Sequence, residues 1–178
     1  ANIFNIGAEG QLVVGAITAG ALVLYLDDES NGGFWLISLA LLAGALGGMA
    51  WAAITAFLRD RFNANEILVS LMLVYVAEFL LSYLIHGALI DPDGFGFPQS
   101  KLFSDGWLIP TVLSGTRLHI GILLALGAAF LGWLYLSRSF SGFKLQVGGI
   151  APMAARYAGF SSRNSLWICL LISGGLAG

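Results

Sequence analysis

Charge is scarce in this chain. Asp and Glu supply ten residues and Lys and Arg eight, 10% of 178, whereas a soluble domain carries about 25% charged residues. A water-facing globule is therefore excluded, and 58% hydrophobic residues with a mean hydropathy of +0.86 place the chain in a membrane. The single cysteine, Cys169, lies in an apolar run and leaves neither a disulfide framework nor a Cys/His metal set, so no metal site is expected. No G-x-x-x-x-G-K-[ST] phosphate loop occurs, which excludes ATP binding by that route. No nucleophile, base and orienting residue are grouped, so no catalytic residue is assigned and the chain does not read as an enzyme. The net charge of −2 gives no reason to expect nucleic acid as a partner. Alternating ten-residue segments, the mark of an outer-membrane barrel, are missing too.

Five apolar stretches are present, at about residues 6–26, 34–58, 67–85, 118–136 and from 165 onward. They predict an all-α fold, a polytopic transmembrane bundle in the lipid bilayer, with 1–178 as one membrane domain. The chain opens without Met and stops inside its last apolar stretch, so it reads as an internal fragment. Arg59, Arg61, Arg138, Lys144, Arg156 and Arg163 fall in one alternating set of loops, and only Lys101 and Arg117 in the other. The positive-inside rule puts the first set in the cytoplasm. The first span then runs outward, with loops 27–33 and 86–117 outside and loop 137–164 inside. The longer outer loop holds Asp91-Pro92-Asp93-Gly94-Phe95-Gly96-Phe97-Pro98, whose prolines and glycines favour turns. The inner loop carries a short expected helix, Pro152 to Tyr157, begun by proline and stopped near Gly159.

The first span poses the sharpest problem. From Leu12 to Leu26 it has fifteen apolar residues, about 22 Å of helix, against a hydrocarbon layer of about 30 Å. Part of the polar run Asn5, Ile6, Gly7, Ala8, Glu9, Gly10 and Gln11 must count toward the span. A carboxylate at membrane depth costs at least about 2.5 kcal/mol, so it faces a bundle interior or a wet cavity. Gly7 and Gly10 weaken helix at that point, which suggests a broken segment lining a pathway. Glu9 would then line or gate that pathway, or pin the broken helix by internal hydrogen bonds. In the third span Tyr75, Glu78 and Ser82 share a face, as a pathway element or as an interhelical hydrogen-bond network. In the second, Ala40, Gly44, Gly48, Ala52 and Ala56 recur every four residues and form a stripe for close helix packing.

Other polar features have simpler readings. Asn63, Asn65 and Glu66 look like a capped helix start. His86 and His119 sit at membrane boundaries with no partner at ligand spacing. Ile172-Ser173-Gly174-Gly175-Leu176 looks like an ATP-binding-cassette signature, but it is embedded in a membrane stretch and lacks the usual glutamine.

Four segments together are more specific. Phe4 through Gln11, Asn65-Glu66-Ile67 with Leu71-Met72-Leu73, Asp91 through Gln99, and Ala154-Ala155-Arg156-Tyr157-Ala158-Gly159 occur in the order found in one family. The chain closely resembles the permease subunits of bacterial ATP-binding-cassette (ABC) importers for nucleosides and simple sugars, related to ribose and branched-chain amino acid permeases. The resemblance implies a multi-pass subunit of the bacterial plasma membrane, paired with a second permease, identical or homologous, above ABC ATPase subunits. A solute-binding protein outside the cell would deliver the solute. ATP and Mg would belong to the ATPases, with no cofactor in this chain. Residues 149–160 would form the coupling helix, with Gly149, Pro152, Ala154, Ala155, Arg156, Tyr157, Ala158 and Gly159 at the ATPase contact. A bulky side chain at Ala155 would then spoil docking. Asn5, Gly7, Glu9, Gly10 and Gln11, with Tyr75 and Glu78, would line the translocation pathway.

Two departures from the family pattern stand out. Val74 replaces a common asparagine on the expected pore side of the third span, and Ile150, Ala151 and Met153 replace polar and basic residues ahead of Ala154. A secondary transporter with Glu9 and Glu78 as ion or proton sites is the alternative. It has no need of a docking helix.

Overall fold

A computed structural model describes residues 3–26, 34–91, 94, 97–103 and 119–178. The expected outer loop 27–33, and the part of the longer outer loop at 104–117, lie outside the described residues. The described chain is all helix and connection: α1 (Ala8–Leu26), α2 (Phe34–Phe62), α3 (Glu66–Ile85), α4 (Gly121–Arg138), α5 (Phe140–Ile150), α6 (Pro152–Tyr157) and α7 (Ser162–Ala177). Four of them, α1 to α4, are long and apolar enough to cross a membrane. The fifth expected span corresponds to the sixteen-residue α7. Two compact units are distinguished, Phe4–Leu108 with Leu170–Gly178, and Ala1–Ile3 with Ile109–Cys169.

In the first unit, α1, α2 and α3 pack on one another, and the second half of α7 meets α2. Lipid tails are as apolar as leucine, so helices there associate through close packing and hydrogen bonds. The stripe read on α2 is that packing surface. Gly44 and Gly48 are buried and Ala52 and Ala56 are fully covered. A methyl group added at Gly48 would overlap the carbonyl oxygen of Gly174, and Gly174 in turn abuts Ala52. Gly15 of α1 and Gly44 of α2 both meet the backbone of Gly178. Hydrogen bonds reinforce the seams. The Thr18 hydroxyl lies 3.1 Å from the Ala43 carbonyl across the α1–α2 contact, and the Trp51 indole N–H donates to the Leu73 carbonyl of α3 at 3.3 Å.

The α2–α3 turn follows the expected capping. Asn63 takes a left-handed backbone (φ 50°) that asparagine tolerates, and Asn65 accepts the Ile67 N–H at 3.0 Å as the N-cap of α3. Glu66, nearly buried in the first turn of α3, pairs with Arg59 Nε at 3.3 Å, while Arg59 also donates to the Ala64 carbonyl. In the loop expected outside, the Asp91 N–H donates to the Gln99 carbonyl and the Gly94 N–H to the Asp91 carbonyl, while 92–93 and 95–96 are outside the described residues.

In the second unit, Ser139 joins two helices by itself. Its backbone N–H donates to the Tyr135 carbonyl and ends α4, while its hydroxyl accepts the Gly142 N–H at 2.9 Å and starts α5. The eleven-residue α5 was not expected from the sequence; only α6 was, at the bounds observed.

Gly48→Ala should lower the thermal midpoint of the detergent-solubilised protein, at a cost of about 1 to 3 kcal/mol from overpacking. Gly127→Ala, which faces open space on α4, should be neutral or stabilising. Equal midpoints for the two variants would contradict the packing described.

Candidate functional site

The polar run before α1 builds a buried junction. Asn5 uses both amide hydrogens, on Gln11 Oε1 and Ser173 Oγ, each at 2.8 Å. Its oxygen accepts from the Gly7 N–H at 3.1 Å and from Gln11 Nε2 at 3.2 Å. The two carboxamides thus bond reciprocally, and Gln11, 1% exposed, is satisfied without water. Through Ser173 the segment ahead of α1 is tied to α7. Sequence reasoning missed Ser173 as a partner, because its Ser-Gly-Gly run stood out only as a mistaken ATPase signature.

The expectation of a broken helix needs correction. From Ala8 to Leu26, α1 is continuous, with Gly10 inside it and Gly7 just before its first turn. The reason these positions are glycine is proximity. A methyl at Gly7 would lie 2.9 Å from Ser70 Cβ, and one at Gly10 2.9 Å from Val74 Cα. Val74 is buried, and its backbone lies against Gly10 at this α1–α3 contact.

Of the seven pathway candidates, Asn5, Gly7, Gly10 and Gln11 come together in this packed junction, whereas Glu9, Tyr75 and Glu78 stand exposed. Among the described residues, Glu9 and Glu78 make no ion pair or side-chain hydrogen bond, so the interhelical network expected around Glu78 does not form within this chain. Glu9 lies in the first turn of α1, where the helix dipole favours an anion.

The loop expected on the cytoplasmic side folds into a helical hairpin. Gly159 adopts φ 75° after α6, its N–H donating to the Arg156 carbonyl, and the Phe160 N–H donates to the Ala155 carbonyl at 2.9 Å. These two bonds make a glycine-terminated helix end that only a residue without Cβ accepts cheaply. The turn delivers the Phe160 ring to α5, edge-on to Phe140 at 6.1 Å and Phe143 at 6.4 Å, with Lys144 Nζ 4.4 Å from the Phe140 ring centre. Ala155, 5% exposed, faces into the hairpin, so a bulky residue there would disrupt this fold before it touched any partner. The outward surface is mostly apolar: Met153 is 65% and Tyr157 90% exposed, one turn apart on α6 and beside Ile150 at the end of α5, with Arg156 between them. Gly149, Pro152, Ala154, Arg156, Ala158 and Gly159 complete the segment.

The profile of the family described as branched-chain amino acid transport system / permease component matches residues 1–178. The chain belongs to this permease family. Among curated relatives, the permease is 34% identical to the guanosine ABC transporter permease of Bacillus subtilis over 99% of its own length and 50% of that protein's. It is 37% identical to the glucose ABC transporter permease of Haloferax volcanii over 98% of its length and 47% of the relative's. With the nucleoside ABC transporter permease of Lactococcus lactis the identity is 27%, over 99% and 50%. The permease therefore spans about half the length of the curated relatives it matches. No solved structure matches it at a significant level. The family and the four apolar helices make it a multi-pass membrane protein.

Asn5→Ala in this permease should cost about 1 to 3 kcal/mol, because it leaves the buried Gln11 amide unpaired. Adding Gln11→Met should recover part of that loss in detergent melts; strictly additive losses would contradict the reciprocal pair. Gly159→Ala should cost about 1 to 2 kcal/mol from left-handed strain, read by the same melts, and an unchanged midpoint would contradict the turn.

Proposed function

We propose that this chain is the membrane-spanning part of an ABC importer subunit that passes a nucleoside or simple sugar by alternating access, driven by separate ATPase subunits. The relatives named for guanosine, nucleosides and glucose support the solute class. The observation that carries the coupling is the α5–α6 hairpin, a short helix held rigidly by Gly159 and Phe160 that presents Met153 and Tyr157 outward. The positive-inside rule puts this hairpin in the cytoplasm.

On this reading α6 seats in a cleft of the ATPase, which holds ATP and Mg. Closure of the ATPases pushes α6. Because Ala155 and Phe160 lock α6 to α5, and Ser139 caps both α5 and α4, the push reaches a membrane-crossing helix with little loss. Glu9, exposed at the start of α1, shapes or gates the solute route. A second permease subunit, identical or homologous, completes the pathway, and a solute-binding protein loads it from outside. A secondary transporter using Glu9 and Glu78 leaves the outward apolar face of α6 without a role.

The full-length complex reconstituted with its ATPase and binding protein tests this. Tyr157→Asp should reduce solute-stimulated uptake by roughly tenfold or more, as loss of a central aromatic anchor does. Wild-type uptake with that variant would overturn the coupling assignment. Glu9→Gln should impair uptake while the complex still assembles, and normal uptake would remove Glu9 from the route.

A further inference from the structure

The chain's charges divide unevenly. All ten acidic residues lie at or before Asp105, and from 106 to 178 the ionised side chains are Arg117, Arg138, Lys144, Arg156 and Arg163. The unit of 109–169 is therefore built with cations and no carboxylate of its own. Within it, a cleft of about 90 Å³ is lined by Lys144, Pro152, Arg156, Phe160, Ser162 and Ser165 among others. That is room for several waters, at about 10 to 15 Å³ of such space for each, and so for a small polar group. Lys144, Arg156 and Ser162 contribute to its wall and no acid lines it; Lys144 Nζ rests over the Phe140 ring, and the Ser165 hydroxyl donates to the Ser161 carbonyl. Among the described residues, Arg156 makes no ion pair.

Position in the chain decides between sources of phosphate. The cleft is walled by α5, α6 and the start of the apolar α7, and α5 follows directly on α4, a membrane-crossing helix. Phe140 and Phe143, the exposed neighbours of Lys144, give α5 an apolar flank of the kind that an interfacial helix buries at the headgroup–acyl boundary. Most of the lining surface is carbon, which suits the glycerol and upper acyl carbons of a lipid better than a free ion. The charge bias puts the cleft on the cytoplasmic side, where anionic lipids supply the headgroups.

We propose that this cleft binds the phosphate of an anionic phospholipid, held by Lys144 and Arg156 with Ser162 as a hydroxyl donor. The site is independent of the transported solute. It ties the α5–α6 hairpin to the membrane surface.

Full-length permease, delipidated in neutral detergent, is titrated with short-chain phosphatidylglycerol, short-chain phosphatidylcholine and inorganic phosphate, with bound lipid read by native mass spectrometry and stability by thermal midpoint. Phosphatidylglycerol should bind and raise the midpoint, with the other two far weaker. Arg156→Gln and Lys144→Gln should each weaken phosphatidylglycerol roughly fivefold, and Arg61→Gln, outside this unit, should not. Lipid-free midpoints check that each variant folds. Equal binding of phosphatidylcholine, or unchanged affinity in Arg156→Gln, would overturn the site. Inorganic phosphate protecting as well as the lipid would overturn the lipid source. Normal lipid binding by Arg156→Gln with lost affinity for the ATPase would assign the guanidinium to a protein partner instead.

Discussion

Backbone contact through glycine is the constraint on which the helical bundle depends. In lipid the hydrophobic drive between helices vanishes, so α1, α2 and α7 hold together only as closely as their smallest residues permit. Gly15, Gly44, Gly48, Gly174 and Gly178 let main chains touch, and Gly7 and Gly10 do the same for α1 against α3. That closeness brings Asn5 within reach of both Gln11 and Ser173. The polar junction is thus a consequence of the packing, and it fixes the packing in return, since separating the helices would strand a buried amide.

The other unit is held by a different device. There a left-handed glycine, three aromatic rings and a lysine fold a six-residue helix back on its neighbour. An isolated helix of that length is unstable in water, so α6 exists because Ala155 and Phe160 are packed. The face left outside, Met153 and Tyr157, is the one available to a partner.

Much of this was legible in the sequence, for physical reasons that can be named. Long apolar runs and Gly or Asn punctuation located α1 to α4 and α6, because hydrophobic length and turn chemistry are local properties. Repetition every four residues marked the small-residue stripe on α2. Local signals failed where the cause was distant. Gly7 and Gly10 read as helix-weakening because their neighbours at Ser70 and Val74 are some sixty residues away. Ser173 could not be matched to Asn5 across 168 positions. Ala155, inside a family-like motif, gave no sign of facing inward until Phe160 was placed against α5. The start of α5 had one overlooked signal, Ser139 three residues before Gly142.

Site-directed cross-linking addresses the central claim, that the outward face of α6 is the seat of the ATPase. In the full complex with Cys169 replaced by serine, single cysteines at Tyr157 and at Ala155 are compared for cross-links to ATPase cysteines flanking its cleft. Linkage from position 157, with little or none from 155, is the predicted result. No linkage from 157 under conditions where transport is intact, or stronger linkage from 155, would contradict the account.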